Sequence, residues 1–157
     1  MCSRTLNGLR ITEVSYLEVA KTSFNIPRMS RNLHPLKTVL LAEHMNILRE
    51  MLRIFLESLS LQILEASNAM EAISIAQSHP GKIDLLFIDV DLDGNLGLES
   101  VNNITRLRPT IPVLYMSTEI GPLEWGDYVE NPTPSYFVQK PFRLEQLEAL
   151  LMVIFSK

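Results

Sequence analysis

One cysteine, Cys2, is the entire thiol content of this 157-residue chain, so no disulfide framework can hold it together. A reducing, cytoplasmic setting is the expected consequence. No apolar run reaches the length that a membrane-spanning helix needs, and the N-terminus lacks the long apolar core of a secretory signal. Membrane insertion is therefore not expected, and Met1-Cys2-Ser3 with no signal before it is not expected to carry a lipid anchor. Positive charge is scarce beyond the opening stretch: residues 1–37 carry six basic side chains against Glu13 and Glu18, a net +4, which leaves −8 for the remainder. Such an acidic body argues against nucleic acid as a direct ligand, and the basic segment is expected to be a solvated tail, with phosphate contact as the alternative.

What is present suffices for one core. With 46% hydrophobic and 20% charged residues, the chain has the bulk of a single domain that needs neither metal nor disulfide staples. Ile11 to Ala20 has some apolar character and could form a short helix, but Asn25, Pro27 and Pro35 break the segment into linker. The expected organisation is a basic extension over residues 1–36 and one domain over residues 37–157.

From Lys37 onward the hydrophobic period changes repeatedly in one order. Thr38 to Ala42 is a short apolar run suited to a buried strand, after which Ile47, Leu48, Met51, Leu52, Phe55 and Leu59 recur at helical spacing. Leu61 to Ala66 reads as a second strand, and Ala69 to Gln77 as a helix with Ala69, Ile73 and Ala76 on one face, ended by His79-Pro80-Gly81. The run from Ile83 ends at Asp89, a helix follows from about Gly97 to Leu107, and Ile111 to Met116 and Ser135 to Gln139 read as further strands. Leu144, Leu147, Leu150, Leu151 and Ile154 mark a last amphipathic helix. Between Glu119 and Pro134 the prolines and glycines allow only a short or irregular helix near Leu123 to Val129. Trp125 and Tyr128 there either pack back on the sheet or anchor a partner. This alternation predicts an α/β fold, a flavodoxin-like doubly wound five-stranded parallel sheet, (βα)5, with an irregular N-terminal extension.

In such a sheet the ligand crevice lies beyond the carboxyl ends of the strands. Asp89 stands at one such end, followed at once by the turn-forming stretch Asp91-Leu92-Asp93-Gly94-Asn95. Glu43-His44 follow the first strand, Ser117-Thr118 the fourth and Lys140-Pro141 the fifth. A carboxylate, further polar groups, a hydroxyl and a cation can thus converge on one rim. His34 and His79, each before a proline, read as linker and loop residues.

These residues, in this order, resemble the receiver domain of two-component response regulators, of the stand-alone CheY-like type, from Thr38 to the C-terminus. The stretch Thr38 to Glu43 resembles the first strand with its acidic pair, Glu65 to Ala72 the second strand and turn, and Asp84 to Asp89 the phosphoacceptor strand. Gly97-Leu98-Glu99 resembles the start of the third helix, Pro112 to Ser117 the strand with the signalling hydroxyl, and Lys140-Pro141-Phe142 the family's lysine and proline. The resemblance implies that Asp89 accepts a phosphoryl group and, with Glu43 and the Asp91 backbone carbonyl, holds Mg²⁺, or Mn²⁺ in its place. It implies that Lys140 pairs with a phosphoryl oxygen, Ser117 bonds another, Phe137 follows as the aromatic switch, and Lys140-Pro141 is cis. A sensor histidine kinase or phosphotransfer protein would supply the phosphate, and a downstream protein would read the face formed by the last strand and helix; the same face could pair two copies. With no effector expected after Lys157, signalling would pass by protein contact, and the chain is not expected to be an enzyme.

Three departures bear on that expectation. His44 stands where the family places a metal-ligating acid, so Mg²⁺ binding should be weakened; the other reading of His44 is a helix N-terminal residue facing solvent. Asp93 replaces a proline and should loosen its turn, and Thr118 replaces a small residue and should narrow the path to the phosphate. Asp91 and Glu119 add negative charge at the pocket and could repel a phosphodonor. An alternative is therefore a pseudo-receiver that acts by contact without phosphorylation. Asp89-Val90-Asp91 also superficially resembles the motif of haloacid dehalogenase-type phosphatases, but two strands precede it and no later acidic pair appears.

Overall fold

The computed structural model describes residues 36–94, 96–119 and 133–156. Strands β1 (Thr38–Ala42), β2 (Gln62–Ala66), β3 (Leu85–Asp89), β4 (Val113–Ser117) and β5 (Ser135–Gln139) form one parallel sheet in the order β2-β1-β3-β4-β5. Helices α1 (Asn46–Ser58), α2 (Ala69–Ser78), α3 (Leu96–Leu107) and α4 (Leu144–Phe155) cover it. The chain steps from β1 outward to β2, then returns to β3 on the other side of β1. That reversal is the switch point of a doubly wound, flavodoxin-like sheet, and it opens a crevice between the carboxyl ends of β1 and β3. The basic extension and the irregular helix expected near Leu123 to Val129, with Trp125 and Tyr128, lie outside the described residues.

Every residue of β1, β3 and β4 is buried, and their side chains divide by the two-residue strand period into two cores. Leu40, Leu86, Ile88 and Val113 pack against α2 and α3, meeting Ala72, Ala76, Val101 and Ile104. Val39, Leu41, Phe87, Leu114 and Met116 pack on the opposite face against Leu52 and Leu56 of α1 and Leu147, Leu151 and Ile154 of α4. The small alanines of α2 let that helix sit close to the sheet. Apolar burial runs slightly beyond the ladder at two strand starts, where Ile83 and Ile111 are buried but precede the strands.

Helix α1 turns only part of its helically spaced apolar set toward the sheet. Leu52 and Leu56 are buried, with Leu48, Phe55 and Leu59 packed beside them, whereas Ile47 and Met51 are 75% and 56% exposed. Two apolar stripes overlap on this helix, and only the one centred on Leu52 faces the sheet. Ile47, Met51 and Ile54 remain as a row at helical spacing on the outside.

Polar contacts tie the loops to the helices. Asn68 caps α2 by accepting the Glu71 N–H at 2.8 Å, while Glu71 accepts the Ser67 N–H and hydroxyl at 2.7 and 2.8 Å. Those Ser67 bonds hold the Glu71 carboxyl below its ordinary range. Asp93 was expected to loosen the loop after β3; instead its carboxylate accepts the Ala69 N–H at 2.7 Å and fastens the loop to the start of α2. A proline could not make that bond. Gly97 lies so close to the end of β3 that a Cβ there would stand 2.5 Å from the Asp89 carbonyl oxygen, so the first turn of α3 can rest against the site strand only with glycine.

At the other end of the sheet Asp84 joins β1 to the start of β3. Its carboxylate accepts the Thr38 N–H at 3.0 Å and meets Lys82 at 3.0 Å and Lys37 at 3.5 Å. Burial alone would raise the Asp84 carboxyl, but the Thr38 N–H and the two ammonium groups outweigh it and hold it below its ordinary value. A lowered carboxyl stabilises the fold above its unfolded-state pKa and loses that contribution as pH falls through the folded value. Asp84→Asn should therefore be less stable than wild type by about 1 kcal/mol at pH 7, and the gap should close as the pH falls below the ordinary carboxylate range, measured by urea unfolding across acid pH.

Candidate functional site

The carboxyl ends of β1, β3, β4 and β5 bring Glu43, Asp89, Ser117 and Lys140 to one rim, as the strand-end pattern predicts. Glu43 and Asp89 are fully buried, which no isolated carboxylate tolerates. Lys140 resolves the conflict: its ammonium donates to Asp89 Oδ2 at 2.8 Å and to Glu43 Oε2 at 3.0 Å. Burial alone would lower the Lys140 ammonium, but the hydrogen bonds to Asp89 and Glu43, with their charges, hold it above its ordinary value.

The remaining carboxylate oxygens are held by backbone. Asp89 Oδ1 accepts the Asp91 N–H at 2.9 Å, and Glu43 Oε1 accepts the Met45 N–H at 2.8 Å. Arg49 of α1 donates to the Glu43 carbonyl at 2.8 Å and so fixes the turn that delivers Glu43. Both acids are therefore oriented from two sides before any ligand arrives, an arrangement suited to stabilising charge that develops at a bound group.

His44 lies in the turn before α1, with its side chain 48% exposed, and its Nδ1 stands 3.3 Å from both Glu43 Oε1 and Asp89 Oδ2. It thus faces the pocket on one edge and solvent on the other, which combines its two expected placements. Glu43, His44 and Asp89 each offer a ligand atom, all within 4.8 Å of one another. This donor set fits a divalent cation, with two hard carboxylate oxygens and one imidazole nitrogen. The Asp91 carbonyl accepts the Gly94 N–H at 3.2 Å, which leaves it a second lone pair for a ligand.

Ser117 is buried at the end of β4, and its hydroxyl accepts the Glu119 N–H at 3.1 Å. Its carbonyl accepts the Lys140 N–H at 2.7 Å, so hydroxyl and ammonium are carried by directly bonded backbones. The Lys140-Pro141 bond is cis, as the resemblance implied. Phe137 pairs with Tyr115 across β4 and β5 and is partly buried against the α2/α3 core. Thr118 and Glu119 are exposed.

Beside the acids a groove of about 420 Å³ runs between α1 and the segment after β5, lined by Leu48, Met51, Thr118, Lys140, Phe142 and Leu144. Sequence reasoning missed this groove because Met51 belongs to the same helically spaced apolar set as the buried Leu52, and the spacing does not say which members face outward. It also missed the Asp93 contact, for which no local signal exists: the partners are separated by 24 residues.

Comparison with known proteins agrees with this geometry. The family model for the response regulator receiver domain matches residues 39–152. A cyclic di-GMP phosphodiesterase of Thermotoga maritima is 29% identical over 110 residues, 70% of this chain and 28% of that protein. The autoinducer 1 sensor kinase/phosphatase LuxN of Vibrio campbellii is 26% identical over 114 residues, 73% of this chain and 13% of that protein. The chain thus spans under a third of either relative. Among solved structures, the chemotaxis response regulator CheY4 of Vibrio cholerae superposes with a TM-score of 0.67 at 23% identity, over 77% of this chain and 100% of that one. A receiver protein from Sinorhizobium medicae gives 0.65 at 24% identity, over 76% and 94%. The structures share the fold, and the family model spans β1 to α4 through every residue of the rim: this chain belongs to the response regulator receiver domain family.

Proposed function

We propose that the chain is a phosphoacceptor switch of a two-component phosphorelay, in which Asp89 takes a phosphoryl group from a histidine kinase or phosphotransfer protein and the signal passes on by protein contact. The observation that carries this reading is the buried Asp89 carboxylate with Lys140 at 2.8 Å and Glu43 beside it. In the transfer, an Asp89 oxygen forms a bond to phosphorus as the bond to the donor imidazole breaks, and the histidine departs neutral once it holds a proton on one nitrogen. The Asp91 N–H and Lys140 orient the attacking carboxylate. Glu43, Asp89 and the Asp91 carbonyl would hold a divalent cation, which when bound would supply charge neutralisation of the phosphoryl oxygens.

Once Asp89 is phosphorylated its charge is carried farther out, and Lys140 exchanges a carboxylate contact for a phosphoryl oxygen. Ser117 turns its hydroxyl proton toward another phosphoryl oxygen, which draws the loop after β4 inward. Phe137, seated against Tyr115, follows into the space so vacated and alters the face of β5 and α4 that a downstream protein or a second copy would read. The product stays on the chain, so the role is that of a switch and not of an enzyme, and the cytoplasm is its setting.

The groove beside the acids and the exposed row Ile47, Met51 and Ile54 provide the apolar surface on which the phosphodonor would seat its histidine over Asp89. A second reading rests on His44: with an imidazole in place of an acid, the domain acts by contact without phosphorylation. Intact mass after incubation with acetyl phosphate and Mg²⁺ or Mn²⁺ separates the two. One phosphoryl group gained by wild type and absent in Asp89→Ala is the expected result; no adduct with either metal supports the contact-only reading. For the groove, Met51→Glu should slow transfer from the cognate kinase about tenfold while acetyl phosphate labelling is unchanged. Equal slowing with both donors would place the defect in the pocket instead.

A further inference from the structure

The cation pocket carries a donor that a magnesium site does not need. Two of the three ligand atoms that converge there are carboxylate oxygens, and the third is His44 Nδ1. Hard Mg²⁺ prefers oxygen in a near-ideal octahedron and gives up its waters reluctantly, whereas imidazole suits the borderline first-row ions. The spacing points the same way. His44 Nδ1 is 3.3 Å from Glu43 Oε1 and 3.3 Å from Asp89 Oδ2. A charge-assisted hydrogen bond would be shorter, at roughly 2.7–2.9 Å. Ligands about 2.0 Å from a shared tetrahedral ion stand about 3.3 Å apart. The acids cannot withdraw from the imidazole, because the Met45 and Asp91 N–H groups and Lys140 hold them in place.

We propose that Glu43, His44 and Asp89 form a site for a borderline divalent transition ion, Zn²⁺ or its neighbours Co²⁺ and Ni²⁺, in preference to Mg²⁺. The proposal rests on the same pocket as the receiver reading and changes its cofactor: the switch would be armed by the supply of a transition ion. Half-exposed His44 can take the ion from solvent at the edge of the pocket and deliver it to the buried carboxylates. Water would complete the coordination on the exposed side, at the position that a phosphoryl oxygen later fills.

The test uses the full chain with Cys2→Ser, His34→Gln and His79→Gln introduced, so that the lone thiol and the two other imidazoles cannot compete. Calorimetric titration with Co²⁺ and with Mg²⁺, without any phosphodonor, gives the ratio of the two affinities. His44→Asp should shift that ratio toward Mg²⁺ by at least about tenfold, one ligand's contribution at a single site. His44→Gln should weaken Co²⁺ comparably without improving Mg²⁺. Circular dichroism checks that each variant is folded. Pulsed EPR of the Co²⁺-loaded chain should show imidazole nitrogen coupling that disappears in His44→Asp. An unchanged affinity ratio, or no nitrogen coupling in the parent chain, overturns the proposal. Because no phosphodonor is present, such a failure leaves phosphoryl acceptance standing, while a Co²⁺-loaded chain that resists acetyl phosphate would count against acceptance alone.

Discussion

The hydrogen bonds from one ammonium to two buried carboxylates are the constraint on which the rest of the site depends. Glu43 and Asp89 are both fully buried at adjacent strand ends, and two like charges there would repel across a low-dielectric gap. Lys140 donates to both at 2.8 and 3.0 Å and lets the rim close. The arrangement is costly to assemble, since three ionisable groups lose water, and in the proposed switch it would be the contact that is exchanged. A phosphoryl group or a divalent cation offers the carboxylates and the ammonium new partners without dismantling the fold.

Much of the architecture can be understood as support for that exchange. The reversal of chain direction between β1 and β3 opens the crevice, and the fully buried β1, β3 and β4 give its floor a rigid base. Gly97 lets α3 lie against the Asp89 strand, and the Asp93 contact to Ala69 pins the loop that follows it. The Ser117 hydroxyl, which accepts the Glu119 N–H at 3.1 Å, and partly buried Phe137 stand beside this rim on β4 and β5. In the proposed switch Asp89 and Ser117 would act from neighbouring strands, β3 and β4, with Phe137 one strand farther on β5.

The sheet and the acceptor rim were legible in the sequence because both follow from local rules. Short apolar runs that end in Glu43, Asp89, Ser117 and Lys140 define strands and place those residues at strand tips, and alternation with helices sets the tips on one side. The inward face of α1 was not legible. Ile47 and Met51 share the helical period of Leu48 and Leu52, and only packing against the sheet decides which stripe turns inward. Asp93 misled for a related reason: a loop acid in place of a proline signals freedom locally, and its partner is the start of a helix 24 residues earlier. The role of Gly97 is likewise tertiary, set by the closeness of the Asp89 carbonyl. His44 was identified as a departure from the family pattern, but its approach to both carboxylates at 3.3 Å required the folded rim.

Lys140 is held in place by the charge of Asp89 and in turn makes that buried charge tolerable. A double-mutant cycle in urea, with chelator present, addresses it through Lys140→Met, Asp89→Asn and their combination. Lys140→Met should cost about 3 kcal/mol when Asp89 is ionised and less than about half as much once Asp89 is an amide. Equal losses in the two backgrounds would contradict it, because the ammonium and the acceptor carboxylate would then act independently.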